Sequence, residues 1–327
     1  MRILEHRSMS DFLSQKYRGL GTVIELSLLE VHKSETTERL DQAHRKIAHY
    51  EDLFTVNRAF SELMALNQFA GLKAVALSEE VYTLTKKAVQ VSQEYFGFNA
   101  SIGPLVRLWH IGFADARVPS EQEIQDMLAL VSPDHIVLDD QKKTVFLPQK
   151  GMSLDLGGIA KGYIADKVVE FWKETGLSTG IVNLGGNIRF LGLPLKGHWR
   201  VGIRNPLTHG TSLVLQVLTT SSSVVTSGID QRYLERDGKS YYHILNPETG
   251  YPHVNNLASV TVFSEKSLDG EIEAKRMFFS EEPEKVFAKR QDVIQAAVLI
   301  TKEKEIKILG LKPKDVRLID KRFKILN

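Results

Sequence analysis

The sequence contains no cysteine, which excludes disulfides, thiolate metal sites, a cysteine nucleophile and a lipid anchor on an N-terminal cysteine. Long apolar runs are missing as well. No stretch reaches the length of a membrane-spanning helix. The N-terminal residues interrupt their apolar side chains with Arg2, Glu5, His6 and Arg7 instead of building the apolar centre of a secretory signal. The expectation is a cytoplasmic protein with no membrane anchor. Charge of one sign is absent too: 42 Lys and Arg stand against 40 Asp and Glu. No uniform field then draws the chain to nucleic acid or an acidic membrane, and no nucleic-acid partner is expected. HExxH, GxxxxGK(S/T), GxSxG and an EF-hand loop are all lacking, which removes most of the case for a zinc protease, a P-loop NTPase or an α/β-hydrolase. What remains is ordinary globular composition, 43% hydrophobic and 25% charged over 327 residues, enough for one large core or two modest lobes.

No internal repeat and no Pro/Gly-rich linker divides the chain, so residues 1–327 read as a single unit. The alternation in Thr22 to Glu30 predicts a strand. Gly19 and Gly21 precede it, whereas dinucleotide-binding glycines follow a strand and open a helix, so turn chemistry is the better reading. Helices are predicted over 35–54 with Ser34 as N-cap, from Ser61, from Ser78 to Gly97, and from Ser120 to before Pro133. A hairpin follows across 136–139 and 144–147. A helix over 160–174 leads to strands at 180–184, 188–191, 199–203, 212–219 and 223–227. The last predicted elements are a strand over 258–263, helices over 267–279 and 282–290, and a strand over 294–300. Helices first, strands in the middle and mixed elements last predict an α+β fold, mainly antiparallel sheet with helices packed on it.

Five segments could carry chemistry. Asp155-Leu-Gly-Gly-Ile-Ala-Lys-Gly162 sets two glycines and a lysine at a helix start, where backbone N–H groups favour anions; a plain glycine turn with a solvated lysine reads equally well. Asn183 to Gly192 alone is a double-glycine hairpin, and Thr226-Ser-Gly228 is a strand end that could hold phosphate or ribose. His243 to Pro252 places a histidine beside a loop stiffened by two prolines, as suits a general base or a loop-capping histidine. Asp269 and Glu273 are four apart on a predicted helix and could share one hard cation, or simply favour the helix dipole.

Taken in order, these segments resemble the ApbE family of FAD:protein FMN transferases. The resemblance runs from Gly21-Thr22 through Phe54-Thr55, Ser61-Glu-Leu, Leu66-Asn67, Phe98 to Trp109, Asp155 to Tyr163, Asn183 to Gly192, Trp199 to Pro206, Thr226 to Gly228, His243 to Pro252 and Asp269. It covers about residues 20–300, with 301–327 as an extension of the same unit. It implies that FAD is bound with Mg2+ on its pyrophosphate and that the FMN half passes to a Thr or Ser hydroxyl of a target protein, a redox flavoprotein, with release of AMP. Two other outcomes stand beside it: an FAD pyrophosphatase, or a non-catalytic FAD-binding protein.

By the same resemblance, Asp269, Glu273 and the carbonyl of Gly158 would hold the metal. Asp155 and Lys161 would contact FAD, and Leu20, Asn57, Asn67, Phe98, Asn99, Ala100, Thr226, Tyr242 and Ile244 would lie near the nucleotide. His243 would be the base, with Asp269 catalytic through the metal. The chain departs from the family at Glu273, where many relatives have Thr, at Asn99 and Asn246, where they have Asp, and at Leu20, where Met is common.

Overall fold

The computed structural model describes residues 12–29, 32–58, 60–194, 197–208, 210–229 and 233–326. Glu30 and the N-terminal segment read above for a signal lie outside them. The chain starts with a hairpin that the sequence pattern only half revealed: β1 (Phe12–Gly19) pairs antiparallel with β2 (Thr22–Leu29). Leu20 and Gly21 turn the corner with φ of 52° and 67°, the paired left-handed geometry of a tight hairpin turn. Helix α1 (Lys33–Phe54) buries Leu40, Ala43, Ile47, Tyr50 and Phe54 at helical spacing. Its N-cap is His32, whose carbonyl accepts from the Thr36 hydroxyl, so Ser34 lies inside the first turn and caps nothing.

Serines start the next helices as expected. Ser61 Oγ accepts from Met64 N at the head of α2 (Glu62–Gln68). After β3 (Val75–Ala76), Ser78 does the same for α3 (Glu79–Ser92), which ends before Gly97. The short α4 (Gly103–Trp109) has no counterpart among the predicted helices, because it opens on Gly-Pro, a pair that reads as a turn. Ser120 and Glu123 form a reciprocal capping box on α5 (Glu121–Leu128). The predicted hairpin is β4 (Val137–Asp139) and β5 (Thr144–Phe146). Helix α6 (Gly157–Glu174) begins three residues earlier than predicted, which puts the glycine pair in its first turn.

The strands follow: β6 (Gly180–Leu184), β7 (Asn187–Leu191), β8 (Trp199–Arg204), β9 (Leu213–Thr219), β10 (Ser223–Gly228), β11 (Tyr233–Arg236), β12 (Lys239–Tyr242) and β13 (Leu257–Ser264). Helices α7 (Ser267–Phe279) and α8 (Pro283–Lys289) precede β14 (Ile294–Thr301), β15 (Glu305–Leu309), β16 (Val316–Leu318) and β17 (Lys324–Ile325).

Nine strands form one sheet in the order β1-β2-β6-β7-β10-β13-β14-β15-β17, antiparallel throughout except for the β15–β17 edge. The fold is α+β, as expected. Strands β16-β9-β8 form a second layer whose Trp199, Val201, Val214 and Val217 pack with Phe190, Val224, Phe263 and Val298 of the large sheet. A second core joins α1, α3 and α6 to β2 and β6 through Leu26, Ile47, Val81, Ile164, Trp172 and Val182. A third joins α7 to β13 and β14 through Ala274, Met277, Phe278, Val260 and Leu299. Strand β13 is buried along its whole length and lies between layers, so its polar Ser259 and Thr261 are buried along with Val260 and Val262.

Two close approaches bring α6 and α7 together. A Cβ on Gly162 would meet the Ser267 carbonyl oxygen at 2.6 Å and Leu268 Cα at 2.8 Å, so only glycine allows this crossing. Asp166, one turn later, accepts from the backbone N–H groups of Ser267 and Leu268, both at 3.0 Å, and from Arg189 Nε at 2.7 Å. A carboxylate from α6 thus caps α7. Burial pushes the Asp166 carboxyl up, against the lowering effect of these donors. Glycine in the segment 155–162 therefore serves helix packing as well as any ligand.

Candidate functional site

A cavity of about 830 Å³ opens where the β1–β2 turn, the end of α1, one side of α4, the start of α6, the end of β10, the 243–245 segment and one face of α7 meet. Its volume lies within the roughly 300–1,000 Å³ usual for small-molecule sites. The first turn of α6 forms one wall. Asp155 is set there by its backbone N–H, which donates to the Ala100 carbonyl at 2.8 Å, and its Oδ1 accepts from Gly157 N at 2.7 Å. Gly158 and Lys161 line the cavity beside it. A Cβ on Gly158 would come within 2.9 Å of Phe98 Cε2 and 3.1 Å of Lys275 Cε, so the missing side chain makes room for the α7 lysine and the Phe98 ring. The start of an 18-residue helix presents a positive dipole end to whatever fills this space.

Thr226 reaches the cavity from β10, its hydroxyl 2.9 Å from that of Thr261. His243 and Ile244 enter just after β12. Their loop is held at several points. Leu245 bridges Pro252, Asn246 Oδ1 accepts from Glu248 N at 2.8 Å, and Trp109 Nε1 donates to the Gly250 carbonyl at 2.8 Å. Asn246, noted above as a departure, is therefore a turn former. Leu20, Asn57, Phe98 and Asn99 also line the cavity. Asn99 Oδ1 accepts from Ser101 N at 2.8 Å and Ser101 Oγ at 2.7 Å.

Other expected residues fall outside the lining. Asn67 stands behind it: its amide brackets Leu154, donating to the Leu154 carbonyl at 2.9 Å and accepting from Leu154 N at 2.7 Å, which fixes the approach to Asp155. Ala100 is fully buried, and its part is the carbonyl that holds Asp155. Tyr242 packs against the third core.

The largest correction concerns α7. Neither Asp269 nor Glu273 is brought to the cavity; the residues of this helix that line it are Glu271, Lys275 and Phe279, four apart like the expected pair but turned by two residues, about 200°. Glu273 is 1% exposed and faces the other way. Its Oε1 accepts from Arg276 Nη1 at 2.6 Å and Arg290 Nη2 at 3.0 Å. The spacing of the acids could not settle the phase, because both pairs have it. Nor could the apolar pattern, since α7 is buried nearly all round.

Glu271 is held on both oxygens: Oε1 accepts from Asn187 Nδ2 and Oε2 from Lys275 Nζ, each at 2.8 Å. Asn187 is itself fixed, its Oδ1 accepting from Ser267 Oγ at 2.7 Å. Burial pushes the Glu271 carboxyl up, but Lys275, Lys161 and Asn187 together outweigh it and hold the group below the usual carboxylate range.

The donor set does not suit a divalent ion held by the protein. Among the described residues no three His, Asp or Glu side chains converge on one point. The cavity's acidic side chains are engaged: Glu51 with Arg58 at 3.3 Å, Asp155 with Gly157 N, and Glu271 with Lys275. A metal at Glu271 would have to displace an ammonium. Among the described residues, also, no helix is long and apolar enough to cross a membrane.

Comparison with known proteins shows which family the chain resembles. A family model described as the ApbE family matches residues 20–298. The chain is 41% identical over 301 residues to the FAD:protein FMN transferase of Klebsiella pneumoniae (strain 342), covering 91% of this chain and 92% of that protein. It is 33% identical over 305 residues to that of Treponema pallidum (strain Nichols), covering 89% and 84%. The crystal structure of the ApbE protein of Thermotoga maritima superposes with a TM-score of 0.83 at 26% identity, covering 91% of this chain and 97% of the other.

Proposed function

The chain belongs to the ApbE family, and we propose that it transfers the FMN half of FAD to a Thr or Ser hydroxyl of a target protein, releasing AMP. The observation that carries this reading is the meeting, in one cavity, of an anion-favouring helix start with Lys161 and a histidine on a braced loop. The target is a protein whose acceptor segment can enter that cavity, and a redox flavoprotein is the class that would use a bound flavin.

The chemistry asks for three things. An alcohol is a poor nucleophile near neutral pH and needs a base in reach. His243, set by the Leu245–Pro252 bridge and the Trp109 bond, is our candidate to take the hydroxyl proton. The freed oxygen attacks the phosphorus next to the flavin ribityl chain; a new P–O bond forms there and the bond from that phosphorus to the bridging oxygen breaks. The bridging oxygen and its electron pair leave with AMP. Negative charge grows on the phosphate oxygens during this step. The α6 N-terminus and Lys161, both on the cavity wall, are our candidates to stabilise that charge. Asp155, tied to Gly157 N, is assigned to hold the nucleotide beside them.

Co-production tests the reading with the target still unidentified. Cells making this chain should contain one additional protein that keeps flavin fluorescence after denaturing electrophoresis, and the His243→Ala variant should not produce it. Free FMN and AMP with no labelled protein under any condition would overturn the transfer step.

A further inference from the structure

The cavity face of α7 carries a cation that the family reading did not ask for. Lys275 is 18% exposed and Glu271 6% exposed at the side chain. The Lys275 ammonium donates to Glu271 Oε2 at 2.8 Å and to the Glu271 backbone oxygen at 3.3 Å. Among the described residues this leaves one of its three N–H donors for a further acceptor. The stem of Lys275 lies against Gly158, in the first turn of α6, close enough that a Cβ there would touch it. Lys161, on the next turn of α6, lowers the same Glu271 carboxyl through space. The arrangement is built from behind: Ser267 orients Asn187, Asn187 orients Glu271, and Glu271 fixes Lys275. A solvated surface lysine needs no such support.

We propose that Lys275 is the resident cation of the pyrophosphate site, clamped by Glu271, and that it binds the FAD phosphates in place of a protein-ligated divalent ion. This rests on FAD being the substrate. A fixed ammonium neutralises phosphate charge as a metal ion does, and its N–H donor directs one phosphate oxygen. It differs in one respect that can be measured: it cannot be removed by a chelator.

The test is equilibrium binding of FAD, followed by quenching of flavin fluorescence, with purified full-length chain in excess EDTA and again in millimolar Mg2+. Wild-type protein is expected to bind FAD with affinities within about twofold in the two buffers. Lys275→Gln should weaken binding in EDTA by about tenfold or more, the size expected for a charge-assisted hydrogen bond. Lys275→Arg should recover part of that loss. Because Lys275→Gln leaves Glu271 buried without its counter-ion, the Glu271→Gln/Lys275→Gln double variant provides a neutral pair for the same measurement, and it too should lose affinity. Wild-type protein that binds FAD only with Mg2+, or Lys275 variants that bind as wild type does in EDTA, would overturn the lysine assignment and leave the flavin reading standing. No FAD binding in either buffer would overturn both.

Discussion

Replacing Glu273 by Gln separates the structural acid of α7 from the site. Glu273 is 1% exposed and its Oε1 serves Arg276 and Arg290. The amide keeps the shape and an acceptor but removes the charge, leaving Arg276, 5% exposed at the side chain, with Glu94 as its remaining acidic partner. Breaking a buried pair on one side costs about 3–5 kcal/mol. Arg290 is 39% exposed at the side chain and regains water, so the lower end, about 3 kcal/mol, applies. At about 2.1 cal/mol/K per residue, the 327 residues give an unfolding entropy of about 0.7 kcal/mol/K, and the melting temperature should fall by about 4 °C. Thermal melts by circular dichroism measure this. FAD binding well below the melt should stay within about twofold of wild type, since distant sites add independently. An unchanged melting temperature together with lost FAD affinity would refute the reasoning and return Glu273 to the cavity.

Other outcomes follow from the same geometry. Asp269→Ala should cost no more than about 1 kcal/mol, the size of a helix-dipole contribution, and should leave flavin transfer within about twofold; a collapse of transfer in a well-folded variant would restore the metal role first expected of it. Gly162→Ala improves local helix propensity, yet its Cβ meets backbone at 2.6 Å. Overpacking should destabilise it by about 1–3 kcal/mol, and a higher melting temperature would contradict the α6–α7 crossing. Glu271 has a folded pKa below its unfolded value of about 4.3. The stability it contributes is therefore complete above that pH and lost as pH falls through the lower folded value. In urea titrations the gap between wild type and Glu271→Gln should narrow below about pH 4, and a gap constant with pH would show that the charge does not matter.

Much of this was legible because local chemistry and tertiary structure agree. Ser61, Ser78 and Ser120 each cap a helix where they stand, and the double glycine at 185–186 turns β6 into β7 with both φ positive. The segments holding Asp155, Lys161, Thr226 and His243 do converge on one cavity. Three things were hidden, each for a physical reason. Edge elements such as β1 and the three-residue β16 carry too little alternation to stand out. Asn67 and Ala100 act behind Asp155, the first through its side-chain amide on the Leu154 backbone and the second through its carbonyl on Asp155 N, bonds that sequence spacing does not encode. The phase of α7 depended on which neighbours close round it, and a helix buried on nearly every side shows no polar face to read. That third point moved the cavity's acidic residue from Asp269 to Glu271 and exposed Lys275.

The central claim, transfer of the flavin-side phosphoryl group to a protein hydroxyl, is tested most directly by following each phosphorus of FAD. Two FAD samples, radiolabelled at the flavin-side or the adenosine-side phosphorus, are incubated with the chain and the flavinylated partner's unmodified form. The account predicts that only the flavin-side label becomes covalently bound to a Thr or Ser of the partner, while the adenosine-side label appears in AMP in equal amount. Label from the adenosine side on the partner, or both labels released as free FMN and AMP with none on protein, would contradict it.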